Sequence, residues 1–165
     1  MESIIPLLEK AGEELKAIRK RLVLTIVCDK GINKQSQLVT IRNVTWTREA
    51  AINELKKAHI GIMPLEANEF TKGKGGFKLI QYLSIGLPVI ATSVGINESI
   101  VSEDVGYLAK GLTDKIWKDG VIALSMDINK WNTYSENAIA EYLKDYSAEY
   151  NLKEWKKLIE ANKNG

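Results

Sequence analysis

The spacing of apolar residues changes period along the chain, and each change marks an element. Ile5, Leu8, Leu15, Ile18 and Leu22 recur at roughly helical spacing, which predicts an opening amphipathic helix with Ser3 as N-cap and Pro6 in its first turn. Residues 22–28 then form a continuous β-branched and apolar run, stopped by Asp29, Lys30 and Gly31. That is the composition of a strand buried on both faces, as in a parallel sheet. Residues 38–44 read as a second strand, 49–58 as a helix with Ala51, Ile52 and Leu55 on its apolar side, and 59–63 as a third strand closed by Pro64. A polar loop over 65–76 leads into a helix carrying Phe77, Leu79, Ile80 and Leu83, with Gly86 in the C′ position ahead of Pro88. Residues 88–92 and 105–109 give two further strands, with a helical turn at 98–101 between them. The rest, 112–163, reads as helical with breaks near Asp127 and Asn151. Alternating strands and helices predict an α/β fold: a Rossmann-like three-layer sandwich whose parallel sheet is covered on both faces and joined by right-handed crossovers.

Composition narrows the class. The 165 residues suffice for one domain, 1–165, and the 45% hydrophobic and 27% charged content belongs to an ordinary globular chain. The 23 basic and 21 acidic residues are interspersed, so no polycationic face for nucleic acid is implied. Apolar runs fall short of membrane-spanning length and no signal-peptide pattern follows Met1, which predicts a cytoplasmic protein. The single cysteine, Cys28, has no partner for a disulfide and no metal-ligand spacing, so it is read as a buried small hydrophobe, with no metal site and no cofactor expected.

The stretch that carries chemistry is residues 71–83. Gly73, Gly75 and Gly76 precede a helix that itself follows a strand, so backbone N–H groups and the positive helix end can approach an anion such as a diphosphate. Lys74, Lys78 and Gln81 are spaced to share one helical stripe, and Phe77, Ile80 and Ser84 another, which predicts a binding side and a packing side. The spacing matches neither a Walker A loop nor the dinucleotide glycine fingerprint. Taken alone, the same residues also fit a solvated Lys/Gly loop.

Three segments together, 59–65 with its closing Pro64, 72–83, and Gly86-Leu-Pro-Val followed by Asn97-Glu-Ser-Ile-Val, resemble the C-terminal domain of the retaining, GT-B-type glycosyltransferases. The resemblance runs from about Leu22 to the C-terminus, where 150–159 with Trp155 is similar to the family's final helix. It implies one half of a GT-B enzyme of bacterial capsule, lipopolysaccharide or glycogen synthesis, transferring a sugar from a nucleotide-sugar donor with retained configuration and without a tightly bound metal. It further implies an acceptor site in an N-terminal domain absent here. The chain is expected to be shortened at the first strand of its own, C-terminal domain, which in the family precedes a basic pair, and to be inactive alone. The parent protein is compatible with the inner face of a membrane.

The resemblance also distributes roles. The family's two hallmark glutamates fall on Gly73 and Gln81, neither of them acidic, and Gln81 can still exchange hydrogen bonds with ribose hydroxyls. Glu66 or Glu69, in a longer loop, are candidates to re-enter the site. Lys74 and Lys78 are the expected catalytic cations, stabilising charge on the departing nucleoside diphosphate. Lys72, Gly73, Gly75, Gly76, Phe77 and Gln81 are the expected donor contacts. Trp46 and Thr47 lie where relatives meet the nucleobase, although a tryptophan at a strand end is more often a core residue. Cys28 replaces a common glycine. His59 replaces a common aspartate, at the end of its strand remote from the loop, and receives no catalytic role. The alternative reading is a non-catalytic, regulatory nucleotide-binding module, favoured by loss of both acids. A receiver-like or flavodoxin-like domain is disfavoured for want of an acidic cluster or flavin-type loop at the strand ends.

Overall fold

The computed structural model describes residues 1–161. Five strands form, and every pair is parallel. β1 (Leu22–Val27) lies in register with β2 (Val39–Val44), Leu22 opposite Val39 and Val27 opposite Val44. β4 (Val89–Thr92) is hydrogen-bonded between β3 (Gly61–Met63) and β5 (Gly106–Ala109). The expected parallel α/β architecture is present, but its ladders fall into two sheets, β2-β1 and β3-β4-β5, instead of one. No ladder joins β1 to β3.

Helices cover both faces. On one side α1 (Ile5–Ala17) and α6 (Ile116–Met126) close over Leu24, Val39, Ile90 and Ala109, with Trp117 fully buried among them. On the other, α4 (Phe77–Ser84) and α7 (Ile128–Glu141) pack Leu79, Leu83 and Ala138 against Met63, Val89 and Ala91. Within β4, Val89 and Ala91 enter one core and Ile90 the other, as alternation of side chains requires. All four residues of β4 are buried, and a side chain the size of Ile90 contributes about 1.5–3 kcal/mol by leaving water.

Local chemistry fixes the boundaries, in places differently from the sequence expectation. Ser3 is not an N-cap. It sits inside a 3-10 turn, Glu2–Ile4, that runs into α1, and Pro6 occupies the first turn of that helix, where its missing N–H is harmless. Short α2 (Arg48–Leu55) ends before residue 58 and has no buried residue. Gly86, at φ +71, holds the C′ position after α4 as expected. The helical C-terminal region starts at α6, because Asp114 ties the preceding loop by accepting from the N–H groups of Lys110 (2.8 Å) and Ile116 (3.1 Å). Those two bonds hold its carboxyl below the ordinary value of 3.8. Asp127 breaks the helices by capping Lys130 N–H. The second break is not at Asn151. A π-helical turn, Tyr142–Tyr146, ends at extended Ser147, whose hydroxyl accepts from Tyr150 N–H and starts α8 (Ala148–Ala161). The last predicted helical residues, Asn162 and Lys163, lie outside the described residues.

Candidate functional site

The loop between β3 and α4 is folded, although its sequence reads as plain polar loop. Asn68 and Thr71 exchange a capping box around α3 (Glu69–Lys72), a single turn of helix. Buried Thr71 also donates to Glu66 O at 2.5 Å. Upstream, Leu65 N–H donates to the buried Thr92 hydroxyl at the end of β4 (2.9 Å). Downstream, Gly95 at φ +55 presses so near α3 that a Cβ there would stand 2.5 Å from Lys72 O. Side-chain hydrogen bonds and one close backbone contact thus fix what glycines and lysines alone would leave loose.

Gly76 forms the junction. It adopts φ +60, and a Cβ would come within 2.3 Å of Ile100 Cδ1, so both conformation and space require glycine. As the N-cap of α4 it offers no side-chain cap. Its carbonyl takes the N–H groups of Leu79 and Ile80, leaving those of Phe77 and Lys78 as the unpartnered donors that open a helix, at its positive end. Beside this end lies a cavity of about 370 Å³, lined by Met1, residues 62–65 and residues 74–78. Two lysines and no carboxylate contribute to that lining. Lys74 and Lys78 make no ion pair among the described residues, while the Lys74 ammonium stands 5.3 Å from the centre of the exposed Phe70 ring. Beneath, the Tyr82 hydroxyl donates to Ile62 O at 3.3 Å, and burial raises its pKa above 10.0.

Of the residues singled out in the sequence, Lys74, Gly75, Gly76, Phe77 and Lys78 come together around this cavity. Lys72 is turned to Glu69 in an exposed pair (2.7 Å), and Gly73 is the C-cap of α3. Gln81 is exposed one turn along α4. Trp46, 56% exposed, and Thr47 stand elsewhere, past the end of β2, and Thr47 Oγ1 caps α2 by accepting from Ala50 N–H at 3.0 Å. Neither Glu66 nor Glu69 lines the cavity.

Three expectations need correction. Phe77 does not pack: it is 70% exposed, and α4, which begins at Phe77, turns Leu79 and Leu83 inward instead, the buried face starting two residues on. Lys74, being before the helix, is a loop residue and not part of its stripe. Cys28 is only half-buried, its thiol donating to Lys30 O (2.8 Å) just past β1. His59 does lie at the far end of β3, with its carbonyl accepting from the Trp131 indole N–H (2.7 Å).

Sequence reading missed Thr71, Gly95 and Phe70. The Asn68-x-x-Thr71 spacing was a usable capping signal; Gly95 depends on contact with the distant α3, and Phe70 on the loop turn that brings Lys74 beside its ring. Among the described residues no three His, Cys, Asp or Glu side chains gather as a metal site requires, and no helix is long and apolar enough to cross a membrane.

Compared with known proteins, residues 4–127 match a family model described as "Glycosyl transferases group 1". The match takes in all five described strands and every residue that lines the cavity except Met1. No curated protein matches the chain.

Proposed function

The chain belongs to the group 1 glycosyl transferases, and from that premise we propose that it holds the diphosphate of a nucleotide-sugar donor at the N-terminus of α4. The observation that carries this reading is the coincidence, in one cavity, of two free helical N–H groups, the Gly75–Gly76 junction, and two lysines that make no ion pair among the described residues. In glycosyl transfer the bond between the anomeric carbon and the donor phosphate oxygen breaks, leaving its electron pair on the diphosphate, while an acceptor hydroxyl bonds to the carbon and loses its proton. The difficult charge is on the leaving diphosphate. The helix end is fixed before the reaction, so it stabilises that charge without reorganising, and Lys74 and Lys78 add two cations beside it.

In this reading Gln81 meets the ribose, Phe77 and residues 72–76 border the donor, and Trp46 with Thr47 receive the base. No resident cofactor or metal is invoked. The acceptor side belongs to a facing domain, and the role is in bacterial polysaccharide or glycoconjugate synthesis in the cytoplasm, at the inner membrane face for the whole enzyme. The test is titration of ribonucleoside diphosphates into the wild type and the Lys74→Ala/Lys78→Ala double variant. Affinity should fall about 30-fold, equivalent to about 2 kcal/mol for charge-assisted hydrogen bonds. Equal affinities remove the site.

A second reading, a regulatory nucleotide-binding module, draws on the absence of any carboxylate from the cavity lining. Sugar transfer by the complete parent enzyme, lowered by Lys74→Ala with binding retained in part, excludes it. Binding without turnover supports it.

A further inference from the structure

Charge is balanced over the whole chain but not where α1 meets β1. Residues 16–21, Lys-Ala-Ile-Arg-Lys-Arg, hold four cations and no carboxylate, and all six are exposed. None of the four cations makes an ion pair among the described residues. Instead the Lys20 ammonium donates to Ser125 O, which brings the basic segment against the junction of α6 and α7. That junction is apolar at its surface. Met126 is 50% and Ile128 66% exposed, and Ile18, among the cations themselves, is 45% exposed. The one carboxylate of residues 125–131, Asp127, is turned to its own chain, where it caps Lys130 N–H (3.0 Å).

Arg19 is the least expected member of the group. At the end of α1, Lys20 N–H donates to Leu15 O (2.9 Å) and Arg19 N–H to Lys16 O (3.0 Å), the paired bonds of a helix that stops on a left-handed residue. Arg19 is that residue, at φ +61, and it is the one non-glycine with positive φ among the described residues. The same pair of bonds closes α4, where Leu87 N–H donates to Tyr82 O and Gly86 N–H to Leu83 O, and there the left-handed position is taken by glycine. Glycine adopts this conformation without steric cost, which arginine does not. The favourable cation at the helix end is already supplied by Lys16 in the last turn. A strained, exposed arginine with no ion pair inside the fold directs attention to a contact outside it.

We propose that this patch, the apolar tips Ile18, Met126 and Ile128 among the cations of residues 16–21, docks the protein on an anionic lipid bilayer. The cations meet lipid phosphates, and the three apolar side chains pass between the headgroups, the two contributions that peripheral membrane binding combines. A nucleic acid offers the phosphates but no apolar layer to receive Met126 and Ile128. The position of the patch leaves the cavity open. The indole N–H of Trp131, one turn into α7, donates to His59 O ahead of β3 (2.7 Å), so the patch lies toward the start of that strand, while the cavity takes residues 62–65 at its end. The inference rests on the reading above only in setting the whole enzyme at a membrane face, and it assigns residues to that contact.

The test is flotation of the 165-residue protein with vesicles of phosphatidylcholine alone, or of phosphatidylcholine and phosphatidylglycerol in equal parts. The anionic vesicles should retain it, less so as salt rises, and the zwitterionic ones should not. Arg19→Gly should weaken retention about fivefold, the effect of one cation at a charged bilayer, while Tm holds or rises because glycine relieves the left-handed strain. Lost retention in a variant that folds at least as well is not a folding defect. Arg19→Gly/Arg21→Ser should weaken retention about 25-fold, and Ile128→Ser about tenfold with the salt dependence kept. Absence of retention by the anionic vesicles overturns the proposal, and so does equal retention of wild type and all three variants. Capture by duplex DNA without retention by vesicles also overturns it and assigns the cations to a nucleic acid. Donor binding is read apart from this: the same variants, titrated with a ribonucleoside diphosphate, should bind as the wild type does, since none of the substituted residues lines the cavity.

Discussion

The three-stranded and two-stranded parts of the molecule use the same parallel pairing to different ends. In the first, β4 is buried along its whole length, and the loops leaving β3 and β4 are tied by Thr92 to Leu65 and by Gly95 against α3. In the second, β2 buries only Val39, α2 buries nothing, and Trp46 projects into solvent. Apolar composition secures burial only where both faces and both edges are covered. The cavity forms on the covered side because rigid strand ends there hold a glycine junction in place.

The sharpest way to break this contrast is to truncate one side chain in each part. Ile90→Ala should cost about 3–4 kcal/mol, as for fully buried aliphatic residues, while exposed Val23→Ala should cost less than about 1 kcal/mol. Urea denaturation of both variants reads the difference, and equal losses would dissolve it. Next come two adjacent glycines. Gly76→Ala forces a left-handed backbone and a clash with Ile100, and should destabilise by about 3 kcal/mol. A Cβ on Gly75 meets nothing within 4 Å, so Gly75→Ala should stay within about 0.5 kcal/mol.

Ligand contacts sharpen the comparison further. Gln81→Leu should weaken binding of a ribonucleoside diphosphate by about 1–3 kcal/mol and abolish its preference over the 2′,3′-dideoxy analogue, with Tm unchanged. Trp46→Ala, in the open part, should cost about 1 kcal/mol of affinity by loss of stacking on the base and almost nothing in stability. A mutant that retains the dideoxy discrimination separates Gln81 from the ribose.

The smallest effect is that of Asp114, which is half-buried. Asp114→Asn should cost about 1 kcal/mol near neutral pH, because one amide oxygen cannot serve both backbone donors as a carboxylate does. Its folded pKa lies below the ordinary 3.8, so the unfolded chain binds more protons in that range and stability rises with pH there. The advantage over the Asn variant should be complete above 3.8 and shrink as pH falls beneath it. A gap that persists unchanged in strong acid contradicts the assignment.

The sequence by itself determined the elements whose signals are local. Five strands, the Gly86 stop, the Asp127 break and the lysine-glycine approach to α4 all follow from propensity, capping and period, which act within a few residues. Local signals could not say that Phe77 faces solvent, since Phe77, Leu79 and Leu83 are all apolar and only the position of Gly76 against Ile100 sets the rotation of the helix. Nor could they show that Ser147, not Asn151, ends the π-helical turn, because the choice depends on how Tyr142 and Tyr146 pack against α4 and its neighbours. The division into two sheets was least legible of all. Residues 22–28 read as a strand buried on both faces because side-chain character reports the faces of a sheet. The pairing of an edge is made by backbone groups that every residue shares, and only the tertiary structure decides which strand lies beside them.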